Sequence, residues 1–263
     1  MRATEAPGPN EVAKTTAGSV AGGFGIGAEL VARLLSVGTA GLSAQLRKRG
    51  YPEAFIDGVR PLAPGMHFAG PARTLRLVPF RLDLFEQRGG GFNAQKRAFD
   101  GIGTGEVLVV EARGLAETGT LGDILAMRAH FLGAAAVVTD GGVRDAKTVA
   151  SIGLPVYSKG PHPSVLGRRH VPWETDVVIT CGGSAVVPGD VIVGDEDGVL
   201  VVPAGLVNDV LSNAEEQERE DAWVADRVSE GNAVEGLFPM NASWRGRYRS
   251  ESETEGVVRH DQN

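Results

Sequence analysis

The sequence predicts an α/β fold with many strands and few helices, on three observations. Short runs such as "GEVLVVEA" (Gly105–Ala112), "AAAVVTD" (Ala134–Asp140) and "GVLVVP" (Gly198–Pro203) have the length and the Val-rich composition of buried strands. Glycine is abundant, 37 of 263 residues, which fits the tight turns of a β-containing chain. Helical spacing is sustained in only a few segments.

Taken in order, residues 1–27 are rich in Gly, Ala, Thr and Pro without apolar period and read as a flexible arm. Within and beyond its end, Gly23, Gly25 and Ala28 fit a GxGxxA dinucleotide pattern, but no strand precedes them, so the required context is missing. "AELVARLLSVGTAGLSAQLRKRG" then reads as one or two helices, with Leu30, Leu34 and Leu35 at helical spacing and Gly50 as the stop. "HFAGPARTLRLVPF" reads as a strand, and Gln87–Asp100 as a mobile basic loop that meets substrate, meets a neighbour, or does neither. "GDILAMRAHFLG" is a helix signal, opened by Gly122 and Asp123 and closed by Gly133. "DVIVGDEDG" and "GVLVVP" flank an acidic turn and read as a hairpin. An amphipathic helix follows over 204–228. The folded body is expected over residues 28–240, and the polar tail 241–263 is expected to be disordered.

Bulk properties exclude several function classes. The formal net charge of −7 argues against nucleic acid as a partner. No apolar run reaches the roughly 18 residues of a membrane span, and no secretory layout opens the chain, so a cytoplasmic protein is the expectation. Cys181 is the single cysteine; it allows no intrachain disulfide and reads as a buried thiol.

The segment Gly122–Asp145 carries the chemistry. It is mostly small and apolar, yet Asp123 opens it and Arg144-Asp145 closes it. Ten helical residues advance about 15 Å, and six strand residues return about 20 Å. If helix and strand pack antiparallel, the Arg-Asp pair comes back to the helix start. Paired carboxylates there can hold a hard divalent cation. Helical N–H groups can bind a substrate carboxylate. An arginine can stabilise negative charge on an oxygen. Together these suit a 2-oxo acid. The competing reading is an N-terminal helix cap with an Arg–Asp surface pair.

Asp123, twenty residues, then Arg144-Asp145 resembles the D-x20-R-D motif of the class II pyruvate aldolases and of their RraA-like relatives. Those aldolases cleave 4-hydroxy-4-methyl-2-oxoglutarate and 4-carboxy-4-hydroxy-2-oxoadipate. "GAAAVVTDGGVRD", "GLPVYSKG" and "VVPGDVIVGDEDGVLVVP" extend the resemblance, which runs from about Leu30 to Glu230. It implies an α/β/β/α sandwich of the swivelling-domain type, assembled as a homotrimer or hexamer with its site near a subunit interface. It further implies Asp145 as a direct ligand of Mg2+ or Mn2+ and Asp123 as a ligand through metal-bound water. Arg144 would contact the keto oxygen, and the backbone amides of Gly122, Asp123, Ile124 and Leu125 would hold the substrate carboxylate. The implied reaction is retro-aldol cleavage of a 4-hydroxy-2-oxo acid, or oxaloacetate decarboxylation, through a pyruvate enolate.

Two positions depart from the family pattern. Thr148 stands where some members carry an acidic residue. Of Glu215, Glu216, Glu218 and Glu220, none is singled out as the glutamate that a neighbouring subunit contributes; the alternative for each is a solvated helix face. A second reading from the same resemblance is a regulator that inhibits a ribonuclease by protein contact. A methyltransferase reading finds no glycine-rich cofactor loop after a strand. Lys159 and His162 lie in a Gly/Pro-rich loop that lines a site or is plain surface. His130 reads as structural or exposed, and Lys147 as a surface residue, with contact to a distal substrate carboxylate as its alternative.

Overall fold

The computed structural model describes residues 25–260. The expected arm lies outside the described residues as far as residue 24, and with it Gly23 of the glycine run. The chain runs α1 (Ala28–Lys48), β1 (Arg60–Pro61), β2 (Phe68–Pro79), α2 (Leu82–Arg88), α3 (Ala94–Asp100), β3 (Val107–Glu111), α4 (Asp123–Phe131), β4 (Ala136–Thr139), α5 (Ala146–Ser151) and β5 (Val156–Ser158). It continues with β6 (His170–Thr175), β7 (Ile179–Cys181), β8 (Ser184–Val186), β9 (Val191–Gly194), β10 (Val199–Val202), α6 (Val207–Ser229) and α7 (Ala242–His260). The strands order as β1-β5-β4-β3-β2-β9-β10, with β6 also beside β2, and β7-β8 form a separate ribbon. β2, β3, β4 and β5 are parallel neighbours.

The twelve-residue β2 explains the layering. Phe68–Pro71 pair with β9, whereas Ala72–Arg76 pair with β3 and Leu75–Pro79 with β6. One strand thus belongs to two halves of a curled sheet. Period-two alternation then assigns side chains to three cores. Leu108, Val110 and Val137 face α3, α4 and α5 through Phe99, Ala126, Ala129 and Val149. Val107, Val109, Ala136 and Val138 turn the other way, onto Ile192, Val199, Val201 and Tyr157. Leu200, Val202, Val191 and Val193 meet α1 and α6 through Leu34, Leu42, Leu46, Val210 and Leu211. Three cores between four layers make the α/β/β/α sandwich that was expected.

The helix expected after Ala28 is one element broken at Gly38, whose φ of 75° no helix interior permits. The β9–β10 hairpin forms as read. Two expectations are corrected. Gln87–Asp100 is not a mobile loop: it holds the end of α2 and all of α3, where Asn93 caps the helix by accepting the Lys96 N–H at 3.1 Å. Of the expected tail, residues 242–260 form α7, because its aromatic residues give that helix a face to bury. Trp244 and Tyr248 pack edge-on against Trp223 of α6, and Glu251 accepts from the Trp223 indole N–H at 2.9 Å. The polar composition of this segment masked that spacing.

Candidate active site

The site forms at the carboxyl ends of parallel strands β3, β4 and β5, where open α/β sheets place ligands. The loops after these strands stay hydrogen-bonded to one another. The Thr120 N–H donates to Gly142 O at 2.8 Å and the Gly142 N–H to Thr118 O at 3.0 Å. Beyond them, the Val143 N–H donates to Gly160 O, and the His162 N–H to Val143 O, both at 2.9 Å. The Arg144 N–H donates to Leu121 O at 2.9 Å. This last bond delivers the Arg-Asp pair to the start of α4, the convergence expected from the lengths of helix and strand.

Two glycines leave space for the charged side chains. A Cβ on Gly119 would lie 2.3 Å from Arg144 Cγ, so the arginine stem rests directly on that backbone. A Cβ on Gly122 would lie 2.9 Å from Asp145 Oδ2, so this carboxylate reaches the N-terminus of α4. Asp145 itself is left-handed, at φ 53°, and precedes α5 without capping it. Asp is among the few non-glycine residues that tolerate this region, and such conformations collect at functional sites. Gly122 is the N-cap of α4, and Asp123 is its first helical residue. Asp123 Oδ1 accepts the Ile124 N–H at 2.8 Å, so one of the amides expected to hold a carboxylate is already engaged. Neither the Arg144 guanidinium nor the Asp145 carboxylate has an ion-pair partner among the described residues. They do not form a surface pair with each other.

A cavity of about 470 Å³ opens over this cluster and is lined by Gly122, Asp123, Ile124, Leu125, Arg144 and Asp145, as expected. It is also lined by Phe85, which sequence reasoning missed, and by Gln95 and Lys96 of the segment for which contact with substrate was one of the readings. Phe85 of α2 forms a wall, its ring held against Gly89 and Gly167. Gln95 and Lys96 of α3 line the opposite stretch of chain in sequence, and the Gln95 side-chain amide donates to Thr120 O. The signal for α3 was present, an Asn before a short helix, and was read as loop.

Other candidates fall elsewhere. His162 lines a second cleft that Arg144 and Asp145 also line, and its Nδ1 accepts the Ser164 N–H at 3.1 Å. Lys159 lines a separate cleft of about 420 Å³ with Glu111, Arg113 and Asp140, and its amine donates to Gly114 O at 3.3 Å. His130 and Lys147 are exposed and do not line the site cavity. Cys181 is buried, and burial pushes its thiol pKa well up. Glu215 pairs with Arg33 at 2.7 Å and Glu220 with Arg245 at 3.3 Å; neither these two nor Glu216 and Glu218 line the cavity.

The donor set was tested against a divalent metal. Among the described residues no group of three or more His, Cys, Asp or Glu side chains is arranged as a metal cage. Two carboxylates at a helix start, one of them unpartnered and reaching over a glycine, fit a hard cation that keeps several waters, the usual Mg2+ arrangement. They do not fit a closed zinc site.

Comparison with known proteins agrees with this architecture. A crystal structure of Streptomyces coelicolor RraAS2, described as an unusual member of the RNase ES inhibitor RraA protein family, superposes with a TM-score of 0.69 at 34% identity, covering 75% of this chain and 96% of that one. An uncharacterized protein from Pseudomonas syringae pv. tomato shares the fold at a TM-score of 0.73 and 24% identity, over 82% of this chain and 95% of that one. In sequence, the chain is 31% identical over 163 residues to a Halalkalibacterium halodurans protein named "Putative 4-hydroxy-4-methyl-2-oxoglutarate aldolase", covering 62% of this chain and 72% of the relative. The RraA-like (Aldolase/RraA) family model matches residues 39–201, and the chain belongs to that family. No helix among the described residues is long and apolar enough to cross a membrane.

Proposed function

We propose that the chain is a divalent-metal-dependent lyase that cleaves a 4-hydroxy-2-oxo acid of the 4-hydroxy-4-methyl-2-oxoglutarate type, or decarboxylates oxaloacetate. The observation that carries this reading is the unpartnered Arg144–Asp145 pair held at the N-terminus of α4. Asp145 would hold Mg2+ or Mn2+ directly, and Asp123 would hold it through water. The bound cation supplies a Lewis acid for the substrate's keto oxygen. The first-turn amides of α4 hold the substrate carboxylate. As the C3–C4 bond breaks, its electrons move toward the C2 oxygen, where the Arg144 guanidinium meets the developing charge. Asp123, acting through a water, would take the proton of the C4 hydroxyl and give it back to C3 of the enolate, so that pyruvate leaves.

A homotrimer or hexamer is proposed with this reading. Ile124, Met127 and Phe131 recur along one face of α4 and are exposed beside the site, which supports a covering subunit there. Glu215, Glu216, Glu218 and Glu220 are the acidic residues that such a neighbour offers.

Pyruvate release from oxaloacetate and from 4-hydroxy-4-methyl-2-oxoglutarate is the test, with Mg2+ or Mn2+, with EDTA, and in Asp145→Ala. Expected are turnover that needs the metal and a loss of at least about 10³-fold in kcat/KM in the variant. Absence of turnover in a folded wild-type oligomer sinks the reading for these substrates. The likeness to RraAS2 favours one second reading, a regulator that binds a ribonuclease through protein contact; capture of such a partner without turnover would support it.

A further inference from the structure

The separate cleft of about 420 Å³ lies at the ends of β3, β4 and β5, and it shares no lining residue with the site cavity. Its charged lining is of both signs, with Lys159 and Arg113 against Asp57, Glu111 and Asp140. Asp140 is committed to the fold, because its carboxylate accepts the backbone N–H groups of Ala112, Gly114 and Gly182. The other four keep capacity. Lys159 runs between two left-handed glycines: a Cβ on Gly58 would lie 3.0 Å from its Cε, and one on Gly114 3.3 Å from its Nζ. Among the described residues its ammonium makes one hydrogen bond, to Gly114 O at 3.3 Å, out of three hydrogens it can donate. Arg113 is left-handed, at φ 57°, and donates to Arg169 O at 3.0 Å. Neither cation has an ion-pair partner among the described residues. On the acidic side, Glu111 Oε2 is buried without a hydrogen-bond partner among the described residues, and the Arg76 guanidinium stands 3.5 Å away. Burial pushes the Glu111 pKa up, so a cation brought beside this carboxylate is favoured. Asp57 is exposed, and its carboxylate has no ion-pair partner among the described residues.

A lone anion would satisfy the two cations but lie against three carboxylates and leave Glu111 unmet. A lone organic cation would leave Lys159 and Arg113 unmet. A metal ion is disfavoured, since among the described residues no three acidic side chains are arranged to hold one. A ligand carrying both charges on neighbouring atoms meets both halves of the lining. Four glycines and Thr180 complete that lining, so no apolar side chain waits for a hydrophobic tail. We propose that this cleft is a binding site for a zwitterionic α-amino acid, its carboxylate on Lys159 and Arg113 and its ammonium on Glu111 and Asp57. Charge-assisted hydrogen bonds of this kind are stronger than neutral ones. Because the two cavities share no lining residue, this ligand is distinct from the lyase substrate and does not depend on the lyase reading.

The test is ligand-observed NMR titration of the full chain with the standard L-amino acids, with acetate and methylammonium as single-charge controls. One or more of the amino acids should bind about 10-fold more tightly than either control. Lys159→Met and Glu111→Gln should each weaken that binding about 10-fold, and Asp57→Asn, at an exposed position, by a smaller factor. Arg144→Ala should leave Kd within about 2-fold, which keeps the ligand out of the site cavity. If Glu111→Gln fails to fold, Lys159→Met and Asp57→Asn carry the test. The proposal is overturned if no L-amino acid binds, or if acetate binds as tightly as the best of them. It is equally overturned if Kd is unmoved in the cleft variants, or if Arg144→Ala costs as much binding as Lys159→Met.

Discussion

Asp140 and Asp145 stand on the same loop after β4, and the fold treats them in opposite ways. Asp140 is buried, and its carboxylate accepts backbone N–H groups from Ala112 at 2.5 Å, Gly114 at 2.8 Å and Gly182 at 3.3 Å. It fastens the end of β3 and the β7–β8 turn to the end of β4. Asp145 is exposed, left-handed and unpartnered, in a place where a glycine leaves room for it. Buried charge survives in a fold only when its hydrogen-bonding capacity is met. An unsatisfied charge at a cavity is capacity kept for a ligand. Two aspartates that read alike in sequence therefore separate into a structural and a chemical role by their partners.

The comparison breaks if Asp140→Ala leaves stability intact. Removing its carboxylate strands one buried and two half-buried donors at once, so a loss of about 2–4 kcal/mol is expected in urea or thermal unfolding. Asp145→Ala should cost only about 1 kcal/mol, the penalty of alanine at its left-handed φ of 53°, because no hydrogen bond or ion pair of its carboxylate is lost.

The structural side carries a pH signature next. His170 of β6 is fully buried; Arg113 donates toward its Nδ1 at 3.4 Å, and its Nε2 has no partner among the described residues. Burial first, then the Arg113 and Arg169 charges, push the imidazole pKa down from 6.5 to about 4. Between those values the unfolded chain takes up a proton that the folded chain refuses. Stability from this group is thus whole above about pH 6.5, falls as pH drops by up to about 1.4 kcal/mol per unit, and levels off below about pH 4. Unfolding free energies across pH 4–7 in wild type and His170→Leu check this. A slope that survives in the variant assigns the acid sensitivity to other groups.

The same contrast explains what was legible in the sequence. The strands announced themselves because each is buried on both faces, so Val107–Val110 and Ala136–Val138 read as continuous apolar runs. The convergence of Asp123 with Arg144-Asp145 followed from the lengths of one helix and one strand. Short elements were not legible. α5 has six residues and β5 three, too few for any period, and tertiary pairing makes them. α3 was lost because its polar residues, Gln95, Lys96 and Arg97, look like loop when the buried Ala94 and Phe99 beneath them are not seen. That omission hid the one wall of the cavity that carries a further charge. Engagement of the Ile124 amide by Asp123 was equally out of reach, since it depends on a side-chain rotamer rather than on spacing.

Gly122 provides the finest probe of the comparison, because it touches the chemical aspartate without touching the fold. Its φ of −139° and ψ of −169° are extended backbone open to any residue, so alanine brings no conformational strain. Its new Cβ would meet the Asp145 carboxylate at 2.9 Å, the movable end of a side chain, before any backbone atom. Gly122→Ala should therefore leave stability within about 1 kcal/mol, since the lower entropy of the unfolded chain offsets the poorer N-cap that alanine makes. Lyase activity should fall about 10-fold as Asp145 is pushed off the helix start, since small misplacements of a positioned group cost rate steeply. The apparent affinity for Mg2+, followed by titrating activity or by metal-dependent thermal shift, should weaken alongside. A variant with unchanged metal affinity and full turnover would mean that the approach of Asp145 to α4 is not what the reaction uses.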